Sequence, residues 1–299
     1  MNSVPLQSTF TEALLDGKSY PQTLIIGNKN SGKTYTALKI IRFLLEEPRS
    51  PYKKFHIVSP VCKFEQADSY AFLKEWGVEQ KRDKVVYLYP SYKSSLAQSI
   101  LMRKTEADEG GEEPSPLVVV LDDMGAACAE NIRKCTALPS LCCTSRHRKC
   151  LLIFISHSLT ASTGGNVGLL SPWTRQNAAW VIAMRCNSAS LVKQVFDEFV
   201  SLIALSGEGE EEVATEQSNA YLKFAMAFNN LTMGTLKGNL YEMSHEGVAI
   251  NASGGLVDTT IKNWLVGYEC DKKTRKRKNV SQEEKELNED ELPGDEEKR

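Results

Sequence analysis

Short apolar runs alternate along the chain with longer stretches in which apolar positions recur every three or four residues. The runs, at 22–26, 54–59, 84–89, 117–122, 150–156 and 178–184, are rich in Val, Ile, Leu, Phe and Tyr. Their nearly continuous apolar character predicts strands covered on both faces, and so a parallel sheet flanked by helices. Between them, 34–46 carries Ala37, Leu38, Ile40, Ile41, Leu44 and Leu45 on one broad stripe, which predicts a buried helical face. The stretch 191–205 repeats apolar residues at 191, 192, 195, 196, 199, 200 and 203, again a helical period. Further helices are expected at 94–104 and around Ala71 and Phe72. Two segments break the pattern. The stretch KTEADEGGEEPSP at 104–116 reads as a mobile surface loop. Beyond Tyr268 the apolar residues thin out, giving an expected globular domain over 1–270 and a tail over 271–299.

The first junction between strand and helix holds the chemistry. Gly27-Asn28-Lys29-Asn30-Ser31-Gly32-Lys33-Thr34 fits the pattern G-x-x-x-x-G-K-[ST], with TLII before it and the amphipathic stretch after it. Glycines let such a loop fold around phosphate oxygens, with successive N–H groups pointing inward and the positive end of a helix behind them. Lys33 is expected to reach the β- and γ-phosphates of ATP, and the Thr34 hydroxyl to ligate Mg²⁺. Ninety residues on, the run LVVVL ends in Asp122 and Asp123. A strand beside the loop's strand would bring Asp122 to the magnesium as a second metal ligand. Asp123 would then orient the attacking water as catalytic base. A third apolar run ends in Ser156-His157-Ser158, where Ser156 or His157 would sense the γ-phosphate.

Charge and composition narrow the choice of partner. The chain has 299 residues and a net charge of −2, so a strongly basic body suited to nucleic acid is absent. Any DNA contact has to come from a local patch. KKTRKRK at 272–278 is basic at six of its seven positions and the remainder is mostly acidic, a composition expected to stay disordered. No secretory leader or membrane-spanning run is visible, and the eight cysteines are expected to be reduced thiols inside a cell. Cys142, Cys143, His147 and Cys150 crowd together. Adjacent cysteines are a poor match to the two separated ligand pairs of a structural zinc site. No N-K-x-D guanine-reading motif is present, the Asn28-Lys29 pair lying inside the phosphate loop itself, which weighs against a GTPase.

Four blocks together resemble the genome-packaging ATPases of large DNA viruses, the poxvirus-type branch of the FtsK–HerA superfamily. They are the loop at 27–34, LVVVLDD at 117–123, SRHRKCLLIFISHS at 145–158 and WTRQNAAWVIAMR at 173–185. The resemblance implies a RecA-like P-loop fold of the additional-strand type and assembly into a homo-oligomeric ring. It further implies ATP hydrolysis between subunits and translocation of double-stranded DNA into a capsid. By position, Arg146 or Arg175 would be the catalytic arginine offered to a neighbour's γ-phosphate. Such an enzyme would work in the nucleus or a viral factory of the host, beside capsid proteins and without a membrane. Two departures stand out: this broad class typically places Glu at the position of Asp123, and often Gln at the sensor. Rival readings are another ring motor of the superfamily, a small-molecule kinase, and a scaffold that binds ATP with little turnover.

Overall fold

The structure, a computed structural model, describes residues 6–60, 73, 83–108, 114–122, 136–159, 170, 172–186, 188–200, 219–226, 228–229, 236–237, 240–241, 247–251 and 255–257. The expected helix around Ala71 and Phe72, Asp123 and the tail at 271–299 lie outside these residues.

All six predicted strands form, and all are parallel: β1 (Thr23–Ile26), β2 (Lys54–Val58), β3 (Val85–Tyr89), β4 (Leu117–Asp122), β5 (Cys150–Ser156) and β6 (Trp180–Met184). They run in the order β6-β1-β5-β4-β2-β3. Two further strands, β9 (Gly247–Asn251) and β10 (Gly255–Val257), continue the sheet antiparallel beyond β6. A separate two-stranded ribbon pairs β7 (Leu236–Lys237) with β8 (Leu240–Tyr241). β5 is inserted between β1 and β4, which is the additional-strand order that the resemblance implies. Asp122 therefore ends a strand one removed from β1, not the adjacent one that the residues alone suggested.

The apolar runs are continuous because both faces of the sheet are covered. Leu24, Ile26, Leu117, Val119, Leu121, Leu152, Phe154, Val181 and Ala183 belong to one buried cluster. It includes residues of α3 (Ser94–Asp108), α4 (Ala137–Thr144) and α6 (Ala189–Phe199). The alternate residues Ile25, Ile153, Ile155, Ile182 and Met184 point to the opposite face and are equally buried. There α2 (Lys33–Glu46) packs across β1 and β5, with Thr36 Oγ1 3.8 Å from Met184 Sδ. The helix α1 (Leu6–Leu15) sets Phe10 edge-on to Trp180.

Two helix boundaries differ from the expected ones. α3 runs on to Asp108, into the stretch expected to be loop. Glu106 and Ala107 are good helix formers, and the breaking glycines come only at 110 and 111. α6 begins earlier, because the Ser188 hydroxyl caps it by accepting from the Leu191 N–H, and its last residue is Phe199, after which the Val200 N–H closes on Phe196 O. At the end of α2 the ammonium of Lys84 is buried and donates to the carbonyls of Leu44 (2.8 Å), Leu45 (3.0 Å) and Glu47 (3.2 Å). It satisfies the acceptors that a helix end leaves open.

Candidate nucleotide site

In a parallel sheet the carboxyl ends of the strands share one edge, and the polar residues singled out from the sequence meet there. β1 ends at Ile26 and hands the chain to the glycine loop, which both neighbouring strands suspend. The Gly27 N–H donates to Ser156 O at the end of β5 (3.3 Å), and the Asn28 N–H to Arg185 O just past β6 (3.1 Å). Gly27 has to be glycine. Its φ is +155°, and a Cβ there would stand 2.7 Å from Met184 Cβ and 2.8 Å from Ser31 Oγ. Gly32 takes φ +91° at the turn into α2, a left-handed conformation that a side chain would oppose. The first backbone bond of the helix is Thr36 N–H to Gly32 O (2.8 Å), so the amide groups before it have no acceptor within the helix.

Lys33 is almost wholly buried. It donates to Asn28 O (2.6 Å) and lies 3.1 Å from His157 Nδ1. An ammonium can only donate, so Nδ1 is the acceptor and the ring proton sits on Nε2. Of the two candidate sensors, His157 is the one turned to the loop. The Ser156 hydroxyl donates to Ser158 O (2.8 Å) instead.

Across the edge, the Thr34 hydroxyl donates to Asp122, 3.1 Å from Oδ1 and 3.2 Å from Oδ2. A residue the sequence reading passed over completes this group: Ser59 Oγ donates to Asp122 Oδ2 (3.2 Å). Ser59 follows β2 as Asp122 ends β4, so a polar residue closing an apolar run was the available signal.

Lys29, Asn30, Ser31, Gly32, Lys33, Thr34, Tyr35, Asp122 and His157 line a pocket of about 500 Å³. The lining fits a triphosphate. Ser31 Oγ is buried with no partner, a polar atom lacking the acceptor or donor that a phosphate oxygen would supply. The Thr34 hydroxyl and Asp122 carboxylate are hard oxygen donors of the kind magnesium takes together with phosphate and water. Burial pushes the thiol of Cys186 up to about 12, against a smaller opposing pull from Lys33.

The two arginines stand elsewhere. Arg146 is exposed on the 3₁₀ turn Arg146–Arg148, which precedes β5 and so sits at the amino edge of the sheet. The seven residues of β5 separate it from its own phosphate loop by about 20 Å. Arg175, on α5 (Pro172–Gln176), is held inside its own chain. Its Nε donates to Glu198 Oε1 (2.5 Å), and its Nη1 to the carbonyls of Leu159 (3.1 Å) and Leu170 (2.9 Å).

The crowded cysteines go separate ways. The Cys142 thiol lies against the Thr174 hydroxyl, Cys143 is exposed beside the Asn177 amide, and Cys150 is buried in β5. Among the described residues no group of three or more His, Cys, Asp or Glu is placed to hold a metal ion. No helix among them is long and apolar enough to cross a membrane.

No family model matches the chain, and no curated protein matches it. Solved structures similar to it include B204, the DNA-packaging ATPase of Sulfolobus turreted icosahedral virus. The identity is 14% over 78% of this chain and 93% of that one, with a TM-score of 0.45. Another is the genome-packaging NTPase B204 of Sulfolobus turreted icosahedral virus 2 in complex with ATPγS. Here the identity is 12% over 80% of this chain and 94% of that one, with a TM-score of 0.41. A third is EssC (ATPases 2 and 3) of Geobacillus thermodenitrificans, 11% identical over 71% of this chain and 45% of that one, with a TM-score of 0.35.

Proposed function

We propose that the chain is an ATP-hydrolysing motor that works as a ring and moves double-stranded viral DNA into a capsid. The observation that carries the hydrolytic part is the meeting of Lys33, Thr34, Asp122 and His157 around one glycine loop. In this reading the loop amides and Lys33 hold the triphosphate, and Lys33 exchanges its present acceptors for phosphate oxygens. Thr34 and Asp122 would hold magnesium, which when bound would offset the charge of the terminal phosphates. Ser59 keeps the Asp122 carboxylate turned toward Thr34. His157, which now lies beside Lys33, is the side chain placed to follow the terminal phosphate. Asp123, next in sequence after Asp122, orients the water.

The ring part rests on where the arginines stand. Arg146 is exposed but a strand's length from its own loop, so in this reading its guanidinium acts on a neighbour's site and not on its own. Arg175 is engaged within its own chain and is the weaker choice. The genome-packaging part rests on the four sequence blocks given above. DNA would be gripped through its phosphates rather than read by base, as transport along any sequence requires.

Steady-state ATP hydrolysis with and without linear double-stranded DNA tests the proposal. Stimulation by DNA irrespective of sequence supports the motor. Turnover indifferent to DNA, or phosphate transfer to a metabolite, contradicts it.

A further inference from the structure

The pocket contains an exposed aromatic side chain that phosphate binding does not use. Tyr35 is the third residue of α2, and its ring lines the pocket while remaining 47% exposed. Its direction follows from the helix. Thr34 turns toward β4, where it meets Asp122, and Thr36 turns toward β6, where it meets Met184. At 100° per residue Tyr35 projects between them, away from the sheet. One turn on, Lys39 lays its ammonium over the ring, 4.6 Å from the centroid. That contact fixes the ring's orientation and leaves close to half of its surface outside the protein.

Amides, hydroxyls and an ammonium suffice for a triphosphate, and none of them has use for an exposed phenol ring. Lys33, the Thr34–Asp122 pair and His157 gather on the side facing β4 and β5, which the proposed function gives to the terminal phosphates and the metal. The remainder of the nucleotide has to leave the loop on the side that Tyr35 borders. A flat, polarisable base needs a flat apolar surface there, and among the described lining residues other than the imidazole of His157, Tyr35 supplies the one aromatic ring.

We infer that Tyr35 is the platform on which the base of the nucleotide stacks, which makes the ligand a nucleoside triphosphate rather than bare polyphosphate. The inference rests on the reading of the loop as a triphosphate site. Stacking recognises a ring face and not the pattern of donors along its edge, so adenine and guanine are both accepted by this contact.

Calorimetric titration of the full chain with ATP–Mg²⁺ and with inorganic tripolyphosphate–Mg²⁺ tests it, using wild type, Tyr35→Ala and Tyr35→Phe. Tyr35→Ala is expected to weaken ATP about ten- to a hundredfold, the range of one lost base–aromatic stack. Tripolyphosphate affinity is expected to stay within about twofold, and Tyr35→Phe to match wild type for both ligands. Equal losses for ATP and tripolyphosphate would overturn the inference, since Tyr35 would then act by shaping the loop. Unchanged ATP affinity in Tyr35→Ala would also overturn it, leaving the ring for another partner. Failure of wild type to bind either ligand would remove the phosphate site itself, and this inference with it. Wild type binding tripolyphosphate while the tyrosine variants bind ATP normally refutes the stacking alone.

Discussion

Asp122 is 1% exposed, and its two neighbours explain how a carboxylate is kept there. Hydroxyls of Thr34 and Ser59 donate to it, so it stays solvated by the protein while aimed at the loop. Removing the more remote hydroxyl leaves every atom that would touch ligand in place. Ser59→Ala is therefore expected to weaken the apparent magnesium affinity of the ATPase about tenfold, the usual scale for loss of a group that orients a metal ligand. A magnesium titration of turnover at saturating ATP checks this. Away from the site, His56 stacks on Tyr87 (4.9 Å) and Tyr89 (5.9 Å), and its Nδ1 lies 3.0 Å from the Tyr89 hydroxyl. Burial, with the nearby charges of Arg103 and Lys54, lowers its pKa from 6.5 to about 4. Between those values the unfolded chain binds more protons than the folded one, so stability falls as pH falls from about 6.5 towards 4. His56→Phe keeps the stack and cannot be charged. Its melting temperature is expected to drop less than that of wild type between pH 7 and pH 5.

At the scale of elements, the strand ends carry the site and the helix ends hold the strands in register with it. Lys84 stands just before β3, yet its ammonium closes the far end of the helix that begins at the phosphate loop. Lys84→Met keeps much of the buried stem and removes the donor from three carbonyls. It is expected to destabilise the fold by about 1–3 kcal/mol, measured by urea denaturation. How much of this was legible follows from the range of each interaction. The six parallel strands and α2 were readable because burial on both faces forces long apolar runs and a clear helical period. The loop was readable because glycine at 27 and 32 answers to local conformation and close approach. Strand order was legible only through the resemblance of the four blocks, because the choice between β4 and β5 as neighbour of β1 depends on contacts far apart in sequence. Such separation also hid Ser59, which reaches Asp122 across 63 residues, and the internal ion pair of Arg175 with Glu198 across 23. The extension of α3 to Asp108 was misread because acidic surface residues suit both a loop and an exposed helical turn.

On the scale of the whole molecule, the sheet has two edges with different chemistry. Its carboxyl edge gathers the phosphate loop, and its amino edge presents Arg146. A ring that brings one subunit's amino edge to the next subunit's carboxyl edge would complete each site from two chains. Arg146→Ala and Asp123→Asn are each expected to reduce hydrolysis at least about a hundredfold, within the range attributed to transferred arginines and positioned bases. Mixed together, the two inactive variants are expected to recover a measurable share of wild-type turnover, because some interfaces pair an intact base with an intact arginine. Absence of recovery would remove Arg146 from the neighbour's site. All of this presupposes that the glycine loop grips a triphosphate through Lys33 with a divalent cation between Thr34 and Asp122. The most direct measurement is calorimetric titration of wild type and Asp122→Ala with ATP, each with and without magnesium. Wild type is expected to bind ATP more than about tenfold tighter with magnesium present, and Asp122→Ala to lose that gain while still binding ATP alone. Binding that ignores magnesium, or none at all, would contradict the assignment.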